Sequence, residues 1–328
     1  MLAKRGGARI WLGMSAPLDF LGIFAGRLRQ AEISFAITSG MACVHYGLQQ
    51  TTKDSDWIIP AEDLARLRGL LSRLEGELPP WRISYRQICG APLEPEYMSH
   101  GWTSHLSVWD SAGSAEHKVD IFSRPPRVRG EELSADAEGW ASQHVVAQMK
   151  KTDRDKDWPM VDGLGRRLWR SGLAVAVLHL ADFDSLLAAW GVLGEATRRQ
   201  MAERRPLLRS LSGPPVLTRP RFDLLLMLER LLWERVNRHR YRRYAGPWKD
   251  FYRAWRCEQP VWPTDEPFAL QHRGLNDAAR RHGLPTEPLA GPERSRLVQA
   301  AVDEILAMER FTREDVASVL PPVYELLP

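Results

Sequence analysis
Two aspartates sit two residues apart in Thr52-Lys53-Asp54-Ser55-Asp56-Trp57-Ile58-Ile59. The apolar run after them reads as a strand, and residues i and i+2 of a strand project from one face. Asp54 and Asp56 therefore project together, while Ser55 faces away. Carboxylates this close repel each other unless a cation lies between them. Oxygen ligands of this kind suit Mg²⁺ or Mn²⁺. Asp120, a lone acid among apolar residues in Val119-Asp120-Ile121-Phe122, is the candidate third ligand from a neighbouring strand. Two ions about 3.5–4 Å apart can clamp the attacking and leaving oxygens of an in-line displacement.

A second feature precedes the acids. Ser39-Gly40 lies between an apolar strand, Ser34 to Thr38, and a short helix through Ala42, Val44 and Tyr46. Free backbone N–H groups and the Ser39 hydroxyl could hold triphosphate oxygens there. Gly40 would let a phosphate approach the main chain. Each feature alone is common: an Asp-x-Asp is usually a solvated turn and a Ser-Gly usually only a turn. Their order and placement carry the reading.

The elements that must position these groups alternate over the first 130 residues. A helix near 17–30 precedes the Ser34 strand. Asp54 to Ile59 is a strand, and Ala61 to Leu74 is an amphipathic helix with Leu64, Leu67, Leu70, Leu71 and Leu74 on one stripe. Trp81 to Ile88, Thr103 to Trp109 and Lys118 to Phe122 read as strands, and Pro125-Pro126 ends the last. This is an α/β (α+β) unit with a mixed sheet and flanking helices. Beyond Ala141 the signals are helical: Trp140 to Lys151, Arg166 to His179, Ser185 to Arg204, Arg221 to Tyr244 and Ser295 to Glu309. Cys257 to Pro292, rich in Pro and Gly, reads as surface loop. The expected domains are 1–135, α/β, and 136–328, mainly helical.

With strand, turn, helix and acids in this order, the chain resembles the nucleotidyltransferase superfamily that includes DNA polymerase β. Within it, the chain is most similar to the minimal and AbiEii-toxin-like branch. The matching residues are Ile37-Thr38-Ser39-Gly40, then Ala42 to Gly47, then Thr52-Lys53-Asp54-Ser55-Asp56, and later Val119-Asp120-Ile121. Branch members often continue with a Lys-bearing helix and an Arg-x-Lys-Asp segment, here within Met149-Lys150-Lys151-Thr152-Asp153-Arg154-Asp155-Lys156-Asp157. The resemblance covers residues 17–165. It implies a nucleotidyltransferase-type fold and transfer of NMP from an NTP to an acceptor hydroxyl. Ser39, Gly40 and Thr52 would contact the nucleotide, and Asp54 and Asp56 would bind two Mg²⁺ or Mn²⁺ ions. Asp120 would join the metal site and help activate the acceptor, while Lys150 or Lys156 would contact phosphate. Two departures stand out: Ser39 replaces the usual first glycine of the turn, and Gln50 stands where an arginine is frequent.

Charge is uneven. Residues 198–256 hold 16 basic and 5 acidic side chains, a field that favours anionic partners. The helix from Arg221 ends in Arg235, Arg238, Arg240, Arg242 and Arg243 with Tyr241 and Tyr244 interleaved. Arginine with tyrosine suits phosphate contact and base stacking, so an RNA such as tRNA is the first-choice acceptor, with a protein side chain or a small hydroxylated molecule left open. A solvated helix flank is the plainer reading of the same residues. The mixed charges of Lys150 to Asp157 likewise have a surface reading.

Other chemistry is excluded or set aside. His45, His100, His105 and His144 show no metal-ligand spacing and read as structural. Cys43, Cys89 and Cys257 form neither a disulfide framework nor a CxxC site, consistent with a cytoplasmic setting. No apolar run approaches the roughly 18 residues of a membrane span. The basic and apolar N-terminus, Met1 to Ala16, reads as the approach to an amphipathic helix and not as a removed leader. A cognate antitoxin is a further partner implied by the branch. The alternative function is a non-catalytic nucleic-acid-binding or toxin–antitoxin interaction protein on the same fold.

Overall fold
The computed structural model describes residues 15–78, 80–110, 115–212, 218–259 and 261–328. The N-terminal stretch weighed as a leader lies, up to residue 14, outside the described residues. Five strands form one mixed sheet: β1 (Ala36–Thr38), β2 (Asp54–Ile58), β3 (Arg82–Tyr85), β4 (Thr103–Trp109) and β5 (His117–Phe122). Their spatial order is β1-β2-β5-β4-β3. Only β2 and β5 run parallel; the other neighbours are antiparallel.

The two-residue period divides the sheet into unlike faces. On one face Trp57, Val119, Ile121, Leu106, Val108 and Ile83 are buried in the main core. Helix Ser15–Gln30 contributes Phe20, Phe24 and Leu28 there, and helix Leu64–Glu75 its leucine stripe. Phe24 meets Trp57 edge-on at 5.0 Å between ring centroids. Asp54, Asp56, Asp120 and His105 project from the other face. Its β2 end is covered by a smaller core of Ala42, Cys43, Ile58, Ala141, Val145 and Val146, which seats the short helices Ser39–His45 and Gln143–Met149.

The rest is helical. A 40-residue helix, Arg219–Glu258, runs through Pro247 without ending, well past Tyr244. Its first half packs Phe222, Leu225, Leu228 and Leu232 into a separate core. Its second half brings Trp233, Val236, Tyr244, Phe251 and Trp255 into the core under the sheet. That core thus holds side chains from both sides of residue 135.

Several sequence expectations change: the strand expected over Trp81 to Ile88 is only Arg82–Tyr85, and the helix expected over Trp140 to Lys151 is only Gln143–Met149. The stretch Ser185 to Arg204 is two helices, Phe183–Gly191 and Glu195–Arg204, broken near Gly191 and Gly194. Arg166 to His179 is the end of helix Trp158–Arg170 followed by a 3₁₀ segment, Ala174–Leu178. Cys257 to Pro292 is not all surface loop, because it contains helix Phe268–Arg281. There the buried Gln271 side chain accepts from Tyr85 N and donates to Ile83 O, closing the outer edge of β3. Among the described residues, no helix is long and apolar enough to cross a membrane.

Candidate functional site
Register decides which acids meet. Asp56 is directly opposite Asp120 across the parallel β2–β5 pair, and Asp120 is opposite His105 across β4–β5. Partners in register share a face, so Asp120 projects on the side of Asp54 and Asp56. Desolvation, then the negative charge of Asp120, push the Asp56 carboxyl up to about 7; Asp54 adds to this. Lys150 and a hydrogen bond from Ser39 act in the opposite direction. The cluster is thus a crowded set of acids.

Asp120 is held by two groups: Arg86, which the sequence reading did not single out, and His105, which it took as structural. Its Oδ1 accepts from Arg86 Nη1 at 3.1 Å and lies 2.7 Å from His105 Nδ1. Arg86 follows β3, where its N–H donates to His105 O at 2.9 Å. Gly90 makes room: a Cβ there would lie 2.9 Å from the His105 ring and 2.6 Å from Thr103 O. The only signal available in sequence was that Arg86 and His105 extend the site-face alternation of their strands.

Ser39 begins its helix with φ +51°. This left-handed backbone costs a non-glycine residue roughly 1–2 kcal/mol. A glycine would relieve that cost but could not hydrogen-bond Asp56. Gly40 is buried, and a Cβ there would lie 2.6 Å from Thr52 Oγ1. Its carbonyl accepts from Gln49 Nε2 at 2.7 Å. Thr52 Oγ1 in turn donates to Asp54 O at 3.3 Å. Gly40 and Thr52 therefore pack the turn against the start of β2.

The two lysines part company. Lys150 is buried, with Nζ 3.3 Å from Asp157 Oδ1 and close enough to Asp56 to draw its pKa down. Asp157 also accepts from Thr152 Oγ1 and Arg154 Nε. Lys156 is exposed and stands apart from this group. Asp54 lines an open cavity of about 320 Å³ together with Thr52, Lys53, Met41 and Lys118. Lys118 is the register partner of Asp54, a cation at the cavity that the sequence reading did not single out.

The donor set is all carboxylate and hydroxyl, which matches a hard divalent cation in kind. Among the described residues, however, no three Asp, Glu, His or Cys side chains converge closely enough to hold an ion as placed. Asp120 is turned toward Arg86 and His105. Both contacts are to Oδ1 of Asp120.

The five arginines of the long helix do not form one patch. Spacing of three and four residues puts Arg235, Arg238 and Arg242 on one stripe. Arg240 donates to Gly101 O at 3.1 Å and Arg243 pairs with Glu293, both elsewhere on the helix. Arg235 lies 3.6 Å from Glu304.

Comparison with known proteins adds little. No family model and no curated protein matches the chain. One solved structure, described as a "putative nucleotidyltransferase" from H. pylori, aligns with 66% of this chain and 95% of its own at 13% identity and a TM-score of 0.34. At that score the similarity supports no functional argument.

Proposed function
We propose that the protein is a metal-dependent nucleotidyltransferase that moves NMP from an NTP to an acceptor hydroxyl. The observation that carries this reading is the placement of Asp54, Asp56 and Asp120 on one face of adjacent parallel strands, with Ser39 hydrogen-bonded to Asp56 and the Lys150 charge near enough to lower its pKa. Asp54 and Asp56, joined by Asp120, would hold Mg²⁺ or Mn²⁺. The bound ions would supply charge neutralisation at the phosphoryl oxygens.

The chain's own groups divide the remaining work. Lys53 and Lys118 border the cavity beside Asp54 and would draw the triphosphate there. Ser39 fixes the Asp56 carboxylate by its hydrogen bond. Lys150, held by Asp157, acts on Asp56 without lining the cavity. His105 and Arg86 position Asp120 through its Oδ1, and His105, beside it, would take the acceptor proton. The Arg235, Arg238 and Arg242 stripe would meet a polyanionic acceptor, with tRNA as the first candidate; a cognate antitoxin is a further partner.

The test is incubation with α-labelled NTP, Mg²⁺ and total tRNA. Transfer of label to RNA, lost in Asp54→Ala, is the expected result. Label on the protein itself would move the acceptor to a side chain. One observation favours a second reading: Asp120 is already paired to Arg86 and His105, and among the described residues no three-acid group closes. On that reading the fold binds nucleic acid or a protein partner without catalysis. RNA binding that ignores Mg²⁺ and yields no label would select it.

A further inference from the structure
Lys150 and Lys151 are neighbours with opposite fates. Lys150 joins the acids, whereas Lys151 enters a cavity of about 400 Å³ on the helical side, walled by Trp158 and Trp233. This volume is in the range of small-molecule sites.

The polar groups of this cavity are unequally satisfied. Arg205 is fully committed: it bridges both Glu229 oxygens and donates to Val177 O and Leu180 O. Lys151 is only 5% exposed. Its Nζ donates to Leu178 O at 3.1 Å and sits 4.5 Å over the Trp233 ring. An ammonium has three donors. Among the described residues no carboxylate lies within ion-pair distance of this one, and Glu229, the acid with the largest influence on it, is bridged to Arg205. His179, buried in the same wall, has an Nδ1 with no hydrogen-bond partner among the described residues, while its Nε2 is 2.8 Å from His144 Nδ1.

A buried cation without a counter-ion is costly unless something supplies the missing charge. The cavity is open enough to admit a ligand that does so. Its single uncommitted ammonium, with the carboxylates of Asp162 and Asp223 also on the lining, matches a monoanion, not a phosphate of higher charge. Its tryptophans, Trp158 with Arg230 over its ring at 5.3 Å and Trp233 with Lys151 over its own, match a flat aromatic body. We infer that this cavity is a second ligand site, separate from the acids of the sheet, that takes a small aromatic carboxylate on Lys151 between Trp158 and Trp233.

The inference does not depend on the transferase reading. It is tested by calorimetric titration of the full chain with 1-naphthoate, followed in parallel by tryptophan fluorescence. The expected result is saturable binding of one ligand per chain. Lys151→Met should weaken it at least about tenfold, the usual consequence of losing a charged hydrogen bond. Met227→Trp, which fills the cavity mouth and leaves Lys151 in place, should weaken it similarly. Asp54→Ala should bind as the wild type does. Neutral 1-naphthalenemethanol should bind at least about tenfold more weakly than the carboxylate. Equal binding of acid and alcohol, unchanged binding in Lys151→Met or Met227→Trp, or no saturable binding would overturn the inference.

Discussion

Lys151 gives a prediction about stability whose sign is unusual for the loss of a buried polar side chain. Burial, then the nearby Arg205 charge, lower its pKa from 10.5 to about 7. That displacement corresponds to about 5 kcal/mol between the charged and neutral forms. Lys151→Met removes this cost but leaves the Leu178 carbonyl without its donor, a loss of about 1–2 kcal/mol. The variant should therefore be more stable than the wild type by about 3 kcal/mol near neutral pH.

The pH dependence follows from linkage. A base with a depressed native pKa contributes its full stability above its unfolded pKa and loses it as pH falls toward the native value. The wild type should therefore gain about 2–3 kcal/mol relative to Lys151→Met between about pH 7.5 and about pH 9.5. Urea unfolding of both proteins across that window, by linear extrapolation, measures the difference. A constant difference across the window, or a Met variant less stable than wild type near neutrality, would refute the argument.

Three further predictions concern the acids and their turn. Gly40→Ala should destabilise the protein by about 1–3 kcal/mol, because its Cβ collides with Thr52; Gly40→Ala with Thr52→Ala should recover part of that loss in thermal unfolding. Ser39→Ala keeps the left-handed strain and loses the Asp56 hydrogen bond, so it should be less stable than Ser39→Gly by about 1 kcal/mol in the same assay. Asp56→Ala should reduce nucleotide transfer by at least about a thousandfold with an unchanged circular-dichroism spectrum; retention of the spectrum separates lost chemistry from lost fold.

Much of the sheet could be read from alternation alone. Thr103 to Trp109 is the strand expected, and Asp54 to Ile59 differs by one residue. The common face of Asp54 and Asp56 also follows from the two-residue period. Cross-strand register does not, because it depends on pairing between distant segments. Arg86 and His105 were therefore invisible as Asp120 partners, although each is ordinary within its own strand. Helix Phe268–Arg281 was hidden by the prolines and glycines flanking it: Pro267 and Gly283 mark its limits, and Phe268, Leu275 and Ala279 form its buried side. Pro247 misled in the opposite direction. Tyr244, Phe251 and Trp255 are buried on both sides of it, and that packing carries the long helix past a residue that usually ends one. The basic run at Arg235–Arg243 was legible as charge, but the division of its arginines between neighbours and solvent depended on which helix faces the core took.

The position of the label tests the central claim most directly. The protein is incubated with Mg²⁺, total tRNA and either α-labelled or γ-labelled NTP, alongside Asp54→Ala and Asp56→Ala. NMP transfer predicts that α label reaches the acceptor, that γ label leaves as pyrophosphate, and that both variants are inactive. Label arriving from the γ position, no transfer from the wild type, or full transfer by either variant would contradict it.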